Sequence, residues 1–422
     1  MIEKAQELGV FVTALDGNPE AAGLAAADEG LVVDISDEEA VLDALRDRKP
    51  DFVLTGPIGR YLTTMGAVND ALGLPGLTRQ AAVLCTDKWL FHQRLAERGL
   101  RPCRCELAAD CGGKEEAEAR AYVDNLLKKA EAFTYPAILK PRYGSGSRGI
   151  FFLKDQEEVR EALECLYGIG QDKEAGGGED YVLEEAVAGE EFGVDGAMEG
   201  DCFRMILLRR KLLTPPPARQ AVGYLTVGSG EELTVRAEAY VRKVTRALGL
   251  ADCLLHADLM ITREQVFAIE LSARPSGHNL HNLFTPMATG VDMAESFIRS
   301  RCGLPYSYVR SCEPGGSCSP CEPCGSCAPG SLYKLQKIRP LLIRYFDLPE
   351  GIVVSVPGRE ELQPSEGVAL RAWDCRIRPG DRIEPVTTGH SLMGRGYFIL
   401  EGRTDALLVE AAERIERQFV VE

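Results

Sequence analysis

The sequence predicts a multidomain protein that opens as α/β and continues as α+β, and three features carry that expectation. Residues 1–85 alternate helical and short apolar segments; the middle of the chain pairs strands through a glycine loop and a tight hairpin; residues 331–422 mix short strands with a closing helix. At 422 residues the chain is too long for a single core. Its 45% hydrophobic and 27% charged residues are an ordinary globular composition.

Residues 2–9 look helical, 10–16 and 31–35 read as strands, and 36–48 form an amphipathic helix with Ser36 as its cap and acids in its first turn. The apolar run DFVLTG (51–56) has the character of a buried parallel strand. Because the chain starts on a helix, the strand that ordinarily precedes it is expected to be missing. TDKWLFHQRLAERG (86–99) reads as one capped helix ending at Gly99, with further helices at 114–131, 156–166 and 232–248. Strand signals fill most of 181–227, and 254–262 with 265–274 form a hairpin. Residues 311–330, SCEPGGSCSPCEPCGSCAPG, have no periodicity able to bury a face and read as an insert.

A net charge of −16 disfavours nucleic acid, whose binding needs a basic face. No apolar run approaches the ~20 residues that span a bilayer, and the N-terminus MIEKAQELGV lacks the basic and apolar regions of a secretory signal. The 14 cysteines are read as free thiols. The expectation is a cytoplasmic protein without nucleic-acid or membrane partners.

Gly144-Ser145-Gly146-Ser147-Arg148-Gly149 has the chemistry of a phosphate loop, since glycine lets backbone N–H groups approach an anion closely. No Lys-Ser/Thr pair follows it, so it is not a Walker A loop; a strand follows it, so it is not a dinucleotide fingerprint. Strand, glycine loop, strand describes a hairpin folding over a nucleotide. Lys140 ends the preceding strand, within reach of a phosphate or a base. Glu184 and Glu185 are adjacent on a strand and face opposite ways, one toward a nucleotide and one toward water. In the 254–274 hairpin, period two puts His256 and Asp258 on one face, and Glu270, Ser272 and Arg274 on one face. Antiparallel pairing sets Asp258 beside Glu270, two carboxylates without a lysine nearby, which suits Mg²⁺. Arg274 would neutralise a transferring phosphoryl group. Arg209, Arg210 and Lys211 are candidates to attract a carboxylate, or else solvated strand ends. His278 and His281 are candidate acid–base groups, or else structural hydrogen-bonders.

The stretches TDKWLFHQRL, YPAILKPRYGSGSRGI, YVLEEAVAGEEFGVDG, HADLMI and FAIELSARPSGHNL, in this order, resemble the ATP-grasp superfamily. The similarity is greatest to the branch holding L-amino acid ligases and the biotin carboxylase-like and carbamoyl-phosphate-synthase-like proteins. The resemblance implies an ATP-grasp fold: a Rossmann-like pre-ATP-grasp α/β domain (1–85), a linker helix (86–105), a small subdomain with the lid (106–187), a large subdomain with the Mg/ATP site (188–310), the insert (311–330) and an α+β C-terminal lobe (331–422). It implies that Lys88 and Lys140 contact ATP, and that Gly144, Ser145, Gly146, Ser147 and Gly149 belong to the mobile loop. Glu184 then meets the adenine amino group, Glu185, Ala186 and Val187 form the hinge at the base edge, and Glu191 lies near the ribose. Asp258 and Glu270 hold Mg²⁺ (or Mn²⁺), and Arg274 stabilises the phosphoryl group. Ser272 stands where the family often has Asn; its hydroxyl can still ligate the metal.

The activity implied is ATP-dependent joining of a carboxylate, an amino acid's foremost, to an amine (or thiol) through an acyl phosphate. ATP and the two small-molecule substrates are the partners, and a homodimer is compatible with the family. The absence of a nucleophile motif agrees, because phosphoryl transfer needs positioning and electrostatics. Two alternatives stand beside it: a biotin carboxylase or carbamoyl-phosphate type of enzyme, although no biotinyl-lysine segment or second ATP-grasp copy is seen, and a nucleotide- or metal-binding homologue without turnover. For the latter, Cys318, Cys321, Cys324 and Cys327, spaced C-x₂-C-x₂-C-x₂-C after Cys312, could take Zn²⁺ or an iron–sulfur cluster.

Overall fold

Asp37, not Ser36, starts the first amphipathic helix, its carboxylate accepting from the N–H groups of Glu39 and Ala40, while Ser36 turns back to Asp34. In the computed structural model this helix, α3 (Glu38–Arg46), follows α1 (Ile2–Glu7), β1 (Thr13–Asp16), α2 (Ala22–Ala26) and β2 (Glu29–Val32). The structure describes residues 1–59, 61–101, 103–110, 115–144, 149–169, 179–215, 219–308, 337–362, 364–386 and 390–422. Glycine-loop residues 145–148 and all five cysteines of the insert lie outside them. β1 and β2 pair in parallel, Thr13 opposite Glu29.

The expected third strand at 51–56 is not one. Its side chains split between two clusters: Phe52 and Leu54 meet Val291, Met293 and Phe297, and Val53 meets Val41, Leu45 and Val68. Side-chain burial, which gives the run its apolar character, is met without a ladder partner. Three helices follow: α4 (Leu62–Leu72), α5 (Arg79–Thr86) and α6 (Lys88–Glu97). Thr86 closes α5 rather than opening α6, whose N-cap is Asp87.

The next unit has strands β3 (Cys105–Ala108), β4 (Ala137–Pro141), β5 (Phe151–Leu153) and β6 (Tyr181–Glu185) in the order β3-β6-β4-β5, all antiparallel. Helices α7 (Glu116–Ala130) and α8 (Gln156–Leu166) cover one face through Val123, Leu127, Val159 and Leu163, packed on Leu139, Leu153 and Leu183. The glycine loop joins β4 to β5, as its flanking apolar runs predict.

A larger sheet takes β7 (Glu190–Glu199), β8 (Cys202–Leu213), β9 (Ala221–Val227), β10 (Leu254–Ile261) and β11 (Val266–Ser272). It continues into the C-terminal residues through β12 (Leu341–Tyr345), β14 (Ala369–Cys375) and β16 (Gly396–Glu401), in the order β11-β10-β7-β8-β9-β12-β16-β14. Strands β13 (Gly351–Ser355), β15 (Arg382–Ile383) and β17 (Val420–Val421) make a separate small sheet beside the C-terminal helix Asp405–Glu416. Helix α9 (Glu232–Leu248) buries Ala237, Val241 and Val244 against Phe192, Val194, Leu255, Ala257 and Leu259 on one face of the large sheet. With period two, the opposite face of β7 and β10 is left to Asp195, Gly193, His256 and Asp258.

Candidate active site

β4 delivers Lys140 to the interior, where the side chain is 5% exposed. Its ammonium donates to Oε1 of Glu184 on β6 at 2.6 Å. Arg101, from the segment after α6, donates through Nη2 to Oε2 of the same carboxylate at 2.6 Å, and His92 Nε2 lies 3.0 Å from that oxygen. Burial opposes charge on Glu184, but Lys140, Arg101 and His92 together hold its carboxyl well below the usual range. Burial, assisted by Arg101, pushes His92 down to about 3, so the ring is neutral. Lys140 is therefore a buried ion-pair partner rather than a solvated strand end.

Glu185 points the other way, as adjacent strand residues must. It does not stay wet: its carboxylate accepts from the N–H groups of Arg104 and Thr134, at 2.8 and 2.7 Å. The N–H of Glu185 goes to the Arg104 carbonyl and that of Ala186 to the Pro136 carbonyl. Helix α6 starts beside this cluster. Asp87 caps it and takes both a fork from Arg142 and the Tyr143 hydroxyl. Lys88 donates to the carbonyl of Gly144 at 2.9 Å, tying the helix to the start of the glycine loop. Burial lowers the Lys88 pKa, with Glu270 opposing. Gly144 and Gly149, at φ +100° and +65°, occupy the left-handed region that glycine tolerates.

On the large sheet Asp258 stands directly opposite Glu270 on β11 and opposite Gly193 on β7; His256 stands opposite Ser272 and Asp195. A bulge follows: Leu259 pairs with Ala268, skipping Ile269. The extra residue switches the parity of β11, so Ala268 packs on the α9 side while Glu270 and Ser272 align with Asp258 and His256 across the sheet. The carboxylate pair is not free of lysine, as the sequence suggested. Lys211 Nζ lies 2.6 Å from Asp258 Oδ2 and 3.8 Å from Glu191, whose other oxygen accepts from Arg219 at 2.8 Å. Arg219 also stacks its guanidinium over Phe152, 5.6 Å from the ring centre, joining this row to the strand that leaves the glycine loop. The Asp258 carboxyl is held below its usual value: burial opposes this, and Lys211 and His256 outweigh it.

Arg274 donates Nη1 to the Pro275 carbonyl, while its Nε is buried without a partner. Burial lowers its pKa, with Glu270 opposing. The segment before α4 reaches this point. A Cβ on Gly59 would lie 3.2 Å from Arg274 Nε and 3.3 Å from Ser272 Oγ, so only glycine leaves both side chains undisturbed.

Arg209, Arg210 and Lys211 do not form a free basic patch. Arg209, 1% exposed, is forked onto Asp195 at 2.5 and 3.0 Å, and Thr285 donates to the same carboxylate at 2.6 Å. Arg210 pairs with Glu190 and Asp405, and Lys211 with Asp258. Alternation on β8 sends 209 and 211 to the polar face, where acids on β7 and β10 await them. His281 pairs through Nδ1 with the Ser276 carbonyl, and the His278 carbonyl accepts from Tyr345 at 2.6 Å. Both serve the turn after β11. His92, Arg101 and Arg219 escaped the sequence reading because nothing local distinguishes them; α6 and the segment after it bring His92 and Arg101 to Glu184 on β6, and the turn between β8 and β9 brings Arg219 to Glu191 on β7. The DK pair opening α6 was the available hint for Asp87.

Two carboxylates and a hydroxyl in one row are an oxygen donor set of the kind a hard cation takes. Among the described residues no group of three or more His, Cys, Asp or Glu gathers around a common point, so a cation here would depend on phosphate oxygens as well.

Residues 133–281, from the strand before the glycine loop to the turn after the hairpin, match the ATP-grasp domain family. The chain carries an ATP-grasp domain. The chain is 27% identical over 324 residues to a formate-dependent phosphoribosylglycinamide formyltransferase of Erwinia tasmaniensis, covering 74% of this chain and 75% of that one. It is 26% identical over 261 residues to dapdiamide A synthase of Enterobacter agglomerans, covering 60% and 57%. The L-amino acid ligase of Bacillus licheniformis superposes with a TM-score of 0.69 at 18% identity, over 100% of this chain and 95% of that one, and so shares the ATP-grasp fold. Among the described residues no helix is long and apolar enough to cross a membrane.

Proposed function

We propose that the protein is an ATP-dependent ligase that joins a carboxylate, foremost that of an amino acid, to an amine. The observation that carries this is the row formed by Asp258, Glu270, Ser272 and Arg274, with Lys88 close enough to feel the charges of both Glu270 and Lys140. Lys88 and Lys140 bind phosphates, Glu184 meets the adenine amino group with the hinge 185–187 beside it, and Glu191 lies at the ribose. The loop from Gly144 through Ser145, Gly146 and Ser147 to Gly149 closes over the phosphates.

Asp258 and Glu270, with Ser272, would hold Mg²⁺, which when bound screens the phosphate charges. Arg274 faces the developing charge on the transferring phosphoryl group, with a guanidinium whose Nε has no protein partner. The substrate carboxylate attacks the γ-phosphate, ADP leaves, and the amine displaces phosphate from the acyl phosphate. Exclusion of water by the closed loop protects that intermediate. Protein incubated with ATP, Mg²⁺ and a panel of amino acids should release phosphate and ADP for at least one pair. ADP binding without phosphate release for any pair would overturn the reading.

A further inference from the structure

Cations and a donor from three elements converge on Glu184. Lys140 comes from β4, His92 and Lys88 from α6, and Arg101 from the segment after α6; the thiols of Cys103, just before β3, and Cys105, on β3, also face it, and burial pushes both thiols up, with Glu184 adding to the rise. Both carboxylate oxygens are engaged: Oε1 by Lys140 at 2.6 Å, Oε2 by Arg101 at 2.6 Å and by His92 at 3.0 Å. His92 Nδ1 is buried without a partner. His92 Nε2 lies 3.0 Å from Oε2 and 3.3 Å from Lys140 Nζ; the shorter contact, to an oxygen that can only accept, assigns the proton of the neutral ring to Nε2, so His92 donates. Arg101 is itself braced, Nη1 reaching the Ala268 carbonyl on β11 at 3.4 Å, which anchors the carboxylate of one sheet to the metal-facing hairpin of the other.

We propose that Arg101, with His92 and Lys140, locks Glu184 as an obligate hydrogen-bond acceptor and thereby selects 6-amino purine nucleotides over 6-oxo purines. The chemistry is one of donor count. An ionised carboxylate accepts only, so it suits the exocyclic amino group of adenine and repels the O6 carbonyl of hypoxanthine or guanine. A protonated carboxyl would have a donor to offer O6, and selection at that position would fail. In a buried site desolvation favours the protonated form, so base selection depends on the cations paired with the carboxylate. Arg101 is in this sense a positioning residue. The inference rests on the proposed reading that Glu184 meets the base.

The test is calorimetric binding of Mg·ADP and Mg·IDP between pH 5.5 and 8, where phosphate ionisation affects both ligands alike and cancels in the ratio of dissociation constants. The wild-type ratio should be flat with pH. In Arg101→Met the preference for ADP should fall by roughly tenfold or more between pH 8 and 5.5, each unit of carboxyl pKa being a tenfold change in protonated fraction. Arg101→Lys should restore much of the flat profile. His92→Phe, which removes the second contact on Oε2, should shift the ratio in the same direction and serves if Arg101→Met does not fold. A ratio independent of pH in both Arg101→Met and His92→Phe would overturn the lock. Glu184→Gln separates this from the underlying reading: an unchanged ADP preference there means Glu184 does not meet the base. A lost preference there, beside pH-independent Arg101→Met, leaves the reading standing and rejects the lock.

Discussion

Lys211 Nζ sits 2.6 Å from Oδ2 of Asp258, so the face that pairs two carboxylates across β10 and β11 carries its own counter-cation. Both side chains are largely withdrawn from water, at 10% and 21% exposure. Removing the ammonium leaves Asp258 beside Glu270 with less compensation. Lys211→Met should lower the stability of ligand-free protein by about 1–3 kcal/mol, less than a fully buried pair because Asp258 keeps some solvent. Saturating Mg·ADP should recover part of that loss, which melting curves with and without the ligand would register. An identical loss in both conditions would mean that Lys211 is merely structural.

Gly59 leaves room for Arg274 and Ser272. Gly59→Val would press a branched side chain on Arg274 Nε and Ser272 Oγ. The expected result is a fall in turnover of roughly tenfold or more, because small displacements at a transferring group are costly. ADP affinity should be nearly unchanged, since a side chain at Gly59 meets Arg274 and Ser272 first. Parallel loss of ADP binding would place Gly59 elsewhere in the mechanism.

Glu270→Gln removes one of the two facing carboxylates while keeping shape. Mn²⁺ binding in the presence of ADP, read by electron paramagnetic resonance, should weaken by about 100-fold, whereas ADP binding without metal should hold. Unaltered Mn²⁺ affinity would remove Glu270 from the proposed metal site.

Asp195 supplies a pH dependence of stability. Its carboxyl lies below its ordinary value: burial opposes this, and Arg209 with Thr285 outweighs it. A depressed folded pKa gives stability that is present above the unfolded value, about 3.9, and is lost as pH falls through the folded value. Asp195→Asn strands the buried Arg209 and should cost about 3–5 kcal/mol at pH 7. In urea titrations from pH 7 to 3, the gap between wild type and variant should narrow below about pH 4. A gap that stays constant to pH 3 would contradict the assignment.

Local patterns made much of this legible. The 3.6-residue spacing of 156–166 and 232–248 predicts α8 and α9 to the residue, because each helix buries one stripe on a sheet. The facing of Asp258 and Glu270 followed from period two and a short turn. That reading succeeded only from Glu270 onward, since the bulge at Ile269 reverses the parity of the residues before it. DFVLTG misled because a buried apolar run looks the same whether or not its backbone finds a ladder partner. Arg209 and Lys211 looked like a basic patch because their acids, Asp195 and Asp258, are 14 and 47 positions away.

By itself, then, the order of residues determined the ATP-grasp framework: the glycine loop between two strands, the lysines at 88 and 140, and the acidic hairpin. These are local signals, written in spacing and alternation over a few residues. Tertiary structure alone decided how the charges are matched. Glu184 received Arg101 and His92, Asp258 received Lys211, and Gly59 came against Arg274 through strand pairing and domain contact between segments up to 215 residues apart. Ion pairing depends on which side chains share a desolvated space, and no periodicity along the chain specifies that.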